Sequence, residues 1–536
     1  MPKAANSPVP FWLQYAGWRA RLFSVLCGAL AVPAFAPLHI WPLGLLSFAL
    51  LFMRLQHASS SGATPKAGRS IAFWHGIGFF GAGVFWVGSA FIVRGASFIA
   101  IMPFMVLALA IALSLFWAVA GGVFIRLRLS GLRAALGFTA IFTLAELARG
   151  HLFGGFPWNL PGYIFEAGSH PSQIAAYINI YGLSWIVLFI SACLGLFLVA
   201  NHRLKSGVLG LIILGILFGF GYIRLSQSKV ILEDNVNLRL VGVSFSQADK
   251  FDPEKSFHIV NQFLMTSLAP GIEDVTHLIW PEGAVNGLAM ENEPLLAAMG
   301  RELVGIDDTP PVWIMNSLRL ETLPHPRKEG MIENYYNSSV AITYDALGYP
   351  MIAAYNDKRR LVPFGEFFPG GKWLETFDFP IVSTALASIS PAPKKTLVDF
   401  PGLPKTSAQI CFEADFPGLT PQDRSAPAQL IINQTNDAWY GQTWGPHQHA
   451  NIARYRALEE GLPMIRSASN GLSAVIDPYG RILARVDTGN MSYVDTALPK
   501  AIQKKRVTKR FIWGLVLINF LITCILSLSR RELGLR

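Results

Sequence analysis

Long runs without a charge occupy most of the first 225 residues, and they constrain the fold of this chain more than any motif does. Residues 98–125 contain no Asp, Glu, Lys or Arg, and residues 71–93 contain none either. Inside a bilayer there is no water to satisfy a backbone N–H or C=O, so an uncharged run of roughly 20 residues reads as a membrane-spanning helix. Eight such helices are expected, over 22–36, 38–54, 71–93, 98–125, 134–148, 173–200, 206–224 and 511–529. The two flanking Pro37 and the one beginning at 134 are short. The composition agrees: 52% of residues are hydrophobic and 15% charged, whereas a soluble domain carries about a quarter charged residues.

The first run has the outline of a signal peptide, since Arg19 and Arg21 precede it and Ala34-Phe35-Ala36 resembles a cleavage site. Pro37 directly after that site and a second run directly after Pro37 argue for a retained helix instead. With the N-terminus in the cytoplasm, eleven Lys and Arg residues fall in the cytoplasmic loops of the first seven spans, and only Arg94 and Arg149 fall in the opposite ones. The positive-inside rule therefore expects both termini in the cytoplasm and residues 226–500 outside it. Lys500, Lys504, Lys505, Arg506, Lys509 and Arg510 run against the rule, but long translocated domains escape it. Three parts are expected: 1–225, a bundle of seven helices; 226–500, a soluble domain; and 501–536, a last helix with its tail.

From residue 237 the pattern changes to short β-rich runs: LRLVGV, HLIWPEG, PVWIMNS, SSVAITY, AQICFE, QLIINQT and SAVIDPYG. Helical stretches such as PEKSFHIVNQFLMTSLA and HQHANIARYRALEEG lie between several of them. The alternation predicts an α/β layered domain, and apolar residues on both faces of LIIN suit a strand inside a sandwich.

Three of the four cysteines, Cys27, Cys193 and Cys524, lie in apolar runs, and Cys411 stands alone in the soluble block. A disulfide framework is not expected, nor does any Cys/His spacing suggest a metal. His447 and His449 lie near Asp437, but no third ligand accompanies them.

Polar groups stand at three strand ends: Glu282 after HLIW, Lys358 after the hairpin that begins with SSVAITY, and Cys411 after AQI. Taken singly they are a turn carboxylate, a surface charge and a buried thiol. Taken together they can do acyl chemistry. A thiol attacks only as thiolate; Glu282 can take its proton and return it to a leaving group; Lys358 can hold the charge of a tetrahedral intermediate.

WPEG, NDKRRLVPFGEFFP and ICFE, in that order, resemble the Glu-Lys-Cys motifs of the nitrilase, or carbon-nitrogen hydrolase, superfamily. With the expected spans, and with FAPLHIWPL, ELARG, GFPWNLPGY, NDAWYG, GPHQH, ARYRALE and IRSASNG, the whole chain resembles the membrane-embedded branch, the apolipoprotein N-acyltransferases. The resemblance implies a polytopic α-helical membrane domain with seven plus one helices and an inserted nitrilase-like α-β-β-α sandwich. It implies Cys411 as nucleophile, Glu282 as general base and Lys358 as the intermediate-stabilising cation, with Glu366 and Glu413 in support. Alternate strand residues share a face, so Glu413 is expected to point the same way as Cys411.

The sequence departs from the family pattern at Arg360, where His is common, at Phe412, where Tyr is usual, and at Phe251, where Trp is expected. Phe251, Phe412, Trp439, Tyr440 and, in the loop after the fifth span, Trp158 are candidate substrate contacts. The implied activity moves an acyl chain from a membrane phospholipid, through a Cys411 thioester, to the α-amine of a diacylglyceryl-cysteine lipoprotein. The implied setting is the bacterial inner membrane, with the catalytic domain periplasmic and the enzyme a monomer. No cofactor, metal or nucleic acid is expected. A membrane-tethered amidase, with water resolving the thioester, and a non-catalytic scaffold are the rival readings.

Overall fold

The computed structural model describes residues 13–93, 96–199, 203–304, 310–324, 331–363, 365–367, 389–421, 423, 425–487, 489, 491–502, 514–515, 517–522 and 525. The chain divides into two compact units, residues 1–227 with 507–536, and residues 228–506.

The first unit is helical: Trp18–Ala29, Trp41–Ser60, Pro65–Gly83, Met102–Leu127, Gly131–His151, Ala175–Val199 and Arg203–Ser226 are its main helices. Among the described residues, four helices are long and apolar enough to cross a membrane: Met102–Leu127, Gly131–Gly154, Pro171–Leu198 and Leu204–Ser226. Pro65–Gly83 and Phe85–Val93, bent by 57°, make a fifth if read as one broken span. The expectation of eight is thus met only in part. Trp18–Ala29 has 12 residues, about 18 Å of helix, well short of a hydrocarbon core of about 30 Å. Pro33 and Pro37 interrupt the run that would have lengthened it. Trp41–Ser60 carries Arg54, which is buried and donates to Ser24 Oγ and, at 3.0 Å, to the Ala20 carbonyl. Most of the last expected span, with Cys524 and the basic residues from Lys504 to Arg510, lies outside the described residues.

Small residues set the packing inside this unit. A Cβ on Gly68 would lie 2.3 Å from the Gly121 carbonyl oxygen, and one on Gly121 would lie 2.4 Å from the Gly68 oxygen. Only glycine at both points lets Pro65–Gly83 and Met102–Leu127 approach this closely. Two charges near the end of Gly131–His151 are satisfied internally: Glu146 pairs with Arg149 and accepts from Trp117 Nε1 at 2.6 Å, while Arg149 donates to the Trp158 carbonyl at 2.9 Å. That clamp holds the FPW turn. Trp158 is buried against Trp86, ring centroids 4.5 Å apart.

The second unit is a sandwich. One sheet has six strands in the order β11-β1-β2-β3-β4-β5, with β1 Leu232–Gly242, β2 His277–Ile279, β3 Val312–Pro324, β4 Met331–Tyr344, β5 Pro350–Asp357 and β11 Ser492–Pro499. The other has five in the order β10-β9-β8-β7-β6, with β6 Thr406–Ile410, β7 Leu430–Asn436, β8 Met464–Ser469, β9 Ser473–Ile476 and β10 Ile482–Val486. Registers align Leu240, Ile279, Ile314 and Ala341 across the first sheet, and Ala408, Ile432, Ile465 and Val475 across the second. These two rows belong to one buried cluster and form the layer between the sheets.

Side chains alternate faces along a strand, so the neighbouring positions must be covered from outside. Leu278, Trp313 and Ile342 pack with Phe263 and Leu295 from helices Pro253–Ser267 and Glu293–Val304. Ile431, Met464 and Ile476 pack with Ala453 and Ala457 of helix Gly445–Glu460. The layers are therefore α-β-β-α, and both helical stretches read from the sequence are helices.

Candidate active site

Cys411 follows the last residue of β6, and the strand does not continue through it. Residues Cys411–Asp415 form a 3₁₀ turn, and Cys411 has φ +50°, a conformation that side chains with a Cβ rarely adopt and that recurs at functional sites. This corrects the expectation that Glu413 faces the same way as Cys411 by strand alternation. Glu413 folds back instead: Oε2 accepts from Ile410 N at 3.0 Å and from Lys395 Nζ at 2.7 Å, and Oε1 accepts from Arg359 N at 3.0 Å and Arg360 N at 3.1 Å. One buried carboxylate thereby fixes the Cys411 turn and the segment after Lys358 to each other.

Lys358 is buried, one residue past β5, with its amide donating to the Asn337 carbonyl at 2.7 Å. Its Nζ lies 2.8 Å from Glu366 Oε1 and 3.8 Å from Glu282 Oε1. Asn337 Nδ2 donates to the same two oxygens, at 2.7 Å to Glu282 and 3.3 Å to Glu366. Glu282 Oε2 accepts from Asn436 N at 2.9 Å, and Glu366 Oε2 from Val362 N at 2.8 Å. Each carboxylate is held by donors on both oxygens, so its orientation is set before any substrate arrives.

The electrostatics follow from burial and these neighbours. Burial works against the Lys358 ammonium, but the Glu366 and Glu282 carboxylates outweigh it and hold its pKa above the ordinary value. Burial pushes the Cys411 thiol up, Glu282 adds to this, and Lys358 and the Thr435 hydroxyl pull only partly against it. Cys411 therefore rests as a thiol, and a thiol in this setting would need a base to react. Lys250 is pushed down to about 8 by burial, with Glu282 opposing.

The remaining expected residues are distributed around this cluster. Phe412 is buried edge-on against Phe416, 4.8 Å between centroids, and the Arg360 guanidinium lies over the Phe416 ring. Trp439 is half-buried, and the Tyr440 ring stands 5.5 Å from that of His449. The side chain of Phe251 lies outside the described residues. His449 Nδ1 is bonded to Asp437 Oδ1 at 2.7 Å, in a buried network with Arg466. Sequence reasoning missed Asn337, Asn436 and Lys395. Asn337 and Lys395 are polar residues that end up buried, and their spacing alone gives no signal of it.

A sandwich of this build, carrying a cysteine, a lysine and two carboxylates at its strand ends, is a carbon-nitrogen hydrolase domain: the family of that description matches residues 268–506, and the N-terminal domain of apolipoprotein N-acyltransferases matches residues 27–194. Apolipoprotein N-acyltransferases of Caulobacter vibrioides and Rhodopseudomonas palustris are 34% and 32% identical, each over 90% of this chain and 89% and 90% of their own lengths. The chain belongs to the apolipoprotein N-acyltransferase family. Among solved structures it is similar to an amidase of the nitrilase superfamily from Nesterenkonia, at 16% identity over 51% of this chain and 94% of that one, TM-score 0.33, and to Nit3 of Saccharomyces cerevisiae, at 15% over 50% and 93%, TM-score 0.32.

Proposed function

We propose that this chain transfers a fatty acyl group from a membrane phospholipid to the N-terminal amine of a diacylglyceryl-cysteine lipoprotein, with Cys411 carrying the acyl group between them. The observation that carries the reading is the placement of one buried ammonium, Lys358, against two oriented carboxylates beside a neutral thiol. Glu282 takes the Cys411 proton as the sulfur attacks the ester carbonyl. Lys358 holds the developing oxyanion. When the C–O bond breaks, Glu282 returns the proton to the lysophospholipid oxygen and a thioester remains. The acceptor amine then attacks that thioester, the C–S bond breaks, and the amine's proton passes by way of Glu282 to the leaving sulfur. Glu366 and Asn337 position Lys358 and Glu282; Phe251, Phe412, Trp439, Tyr440 and Trp158 remain the candidate substrate contacts.

The apolar helices of the first unit support a membrane setting, and the distribution of Lys and Arg supports a cytoplasmic N-terminus with the catalytic unit on the periplasmic face of the inner membrane. The test is incubation of the purified protein with phospholipid, followed by mass spectrometry of the peptide containing Cys411. A long-chain acyl adduct that disappears with Cys411→Ala, together with loss of acyl transfer to a lipopeptide amine, is expected. Full transfer by that variant overturns the proposal. A thioester resolved only by water, with no transfer to amine, would assign the chain to amide or ester hydrolysis instead.

A further inference from the structure

Behind the nucleophile lies a buried polar network that the acyl-transfer steps above do not use. Asp437 Oδ1 accepts from His449 Nδ1 at 2.7 Å and from the Thr435 hydroxyl at 3.1 Å, and Asp437 Oδ2 accepts from Arg466 Nη2 at 2.8 Å. Arg466 also donates to Asn433 Oδ1. Burial raises the cost of the Asp437 charge, but Arg466 and His449 outweigh it and keep the carboxyl below the ordinary range. Asp437 is thus a stable anion with three donors.

Thr435 is the link between this network and the reacting atom. It is fully buried on β7, aligned with Ala468 of β8 and one residue past Gln434, the register partner of Ile410, which sets it beside Cys411; its hydroxyl donates to Asp437 and pulls against the upward shift of the Cys411 thiol. A hydroxyl has one proton and can give it to one acceptor at a time. While Cys411 is a thiol, the better acceptor is the Asp437 carboxylate. Once the sulfur carries a charge it competes for that proton, and Asp437 can release it because His449 and Arg466 remain.

We propose that the Thr435 hydroxyl is the thiolate's hydrogen-bond donor in this site, committed to Asp437 at rest and turning to the Cys411 sulfur as Glu282 removes the thiol proton. The inference rests on Cys411 being the nucleophile. The donor comes from the scaffold rather than from substrate, so it acts in both half-reactions: when the thiolate attacks the donor ester, and when it is expelled from the thioester. A charge-assisted hydrogen bond of this kind is worth about tenfold or more in the equilibrium between thiol and thiolate.

The groups that face the sulfur are Glu282 after β2, Lys358 after β5, Glu366 and Tyr440; those behind Thr435 are Asp437, His449, Arg466 and Asp415. All remain in a Thr435→Val variant, which keeps the shape of the side chain and loses only the hydroxyl. The experiment measures alkylation of Cys411 by iodoacetamide between pH 6 and 10 in the full-length protein in detergent, read by mass spectrometry of the Cys411 peptide. On the rising limb of the profile Thr435→Val is expected to react about tenfold more slowly than wild type, and Thr435→Ser to stay within about threefold of it.

Superimposable profiles for wild type and Thr435→Val would overturn the inference, because a hydroxyl that merely braces Asp437 would change thermal stability and leave the thiol's titration where it was. Should Thr435→Val fail to fold, the same comparison is made between Thr435→Ser and Thr435→Ala, where only the serine retains the donor; equal profiles there are equally fatal. A wild-type Cys411 that alkylates no faster than Cys27 and Cys193 would overturn the nucleophile reading itself, a result distinct from superimposable profiles.

Discussion

Asp415 lies four residues beyond Cys411 on the same 3₁₀ turn, fully buried, and neither of its carboxylate oxygens accepts a hydrogen bond among the described residues. His449 Nε2 stands 3.5 Å from Oδ1. Burial raises the Asp415 pKa from 3.8 to about 6, with His449, Arg456 and Arg466 pulling against it. The folded protein therefore binds a proton here between about pH 4 and 6 that the unfolded chain does not. Stability from this group is present at the acid end and is lost as pH rises through 6, by about 3 kcal/mol at most. Thermal unfolding of the detergent-solubilised protein from pH 4 to 7 checks this: Asp415→Asn should abolish that fraction of the alkaline loss, so its midpoint falls less than that of wild type over the same range. Identical slopes would show that the group is not titrating there.

At the scale of elements, the site depends on segments that Glu413 ties together. Its carboxylate joins the end of β6, the turn after β5 and Lys395, and both members of the Lys395–Glu413 pair are nearly inaccessible. Removing one partner leaves a buried charge alone, at a cost of about 3–5 kcal/mol. Lys395→Met and Glu413→Gln should each lower the unfolding midpoint and slow formation of the Cys411 acyl adduct. The double variant should cost less than the sum of the two, because the second change removes the stranded charge. A strictly additive double variant would mean that the pair does not act as a unit.

This joint also marks where sequence reading stops. Glu282, Lys358 and Cys411 were legible because each ends a β-rich run and each carries a chemistry that packing does not need. Asn337 was not legible. It reaches the site because β4 pairs with β5 in a register that sets Ser338 opposite Asp357 and so brings Asn337 beside Lys358, and register is a property of two strands, not of one. The turn at Cys411 was hidden for a related reason. ICFE looks like continuing strand until the backbone adopts a positive φ there. In the helical unit, apolar runs located helices, but which of the described ones are long and apolar enough to be continuous spans was not legible, since proline breaks and the burial of Arg54 depend on neighbours.

For the whole molecule, the distribution of Lys and Arg makes a prediction that the catalytic chemistry does not. A reporter active only in the cytoplasm should be active when fused after residue 536, and inactive when fused to a chain truncated after residue 227. The reverse pattern would place the catalytic unit on the cytoplasmic side. The sandwich in residues 228–506 separates two jobs. Its inner rows, Leu240 to Ala341 and Ala408 to Val475, hold the sheets together without a polar side chain, and the reacting groups all stand beyond the strand ends. Changes confined to the loops beyond the strand ends therefore leave untouched the apolar slab that keeps the two sheets together.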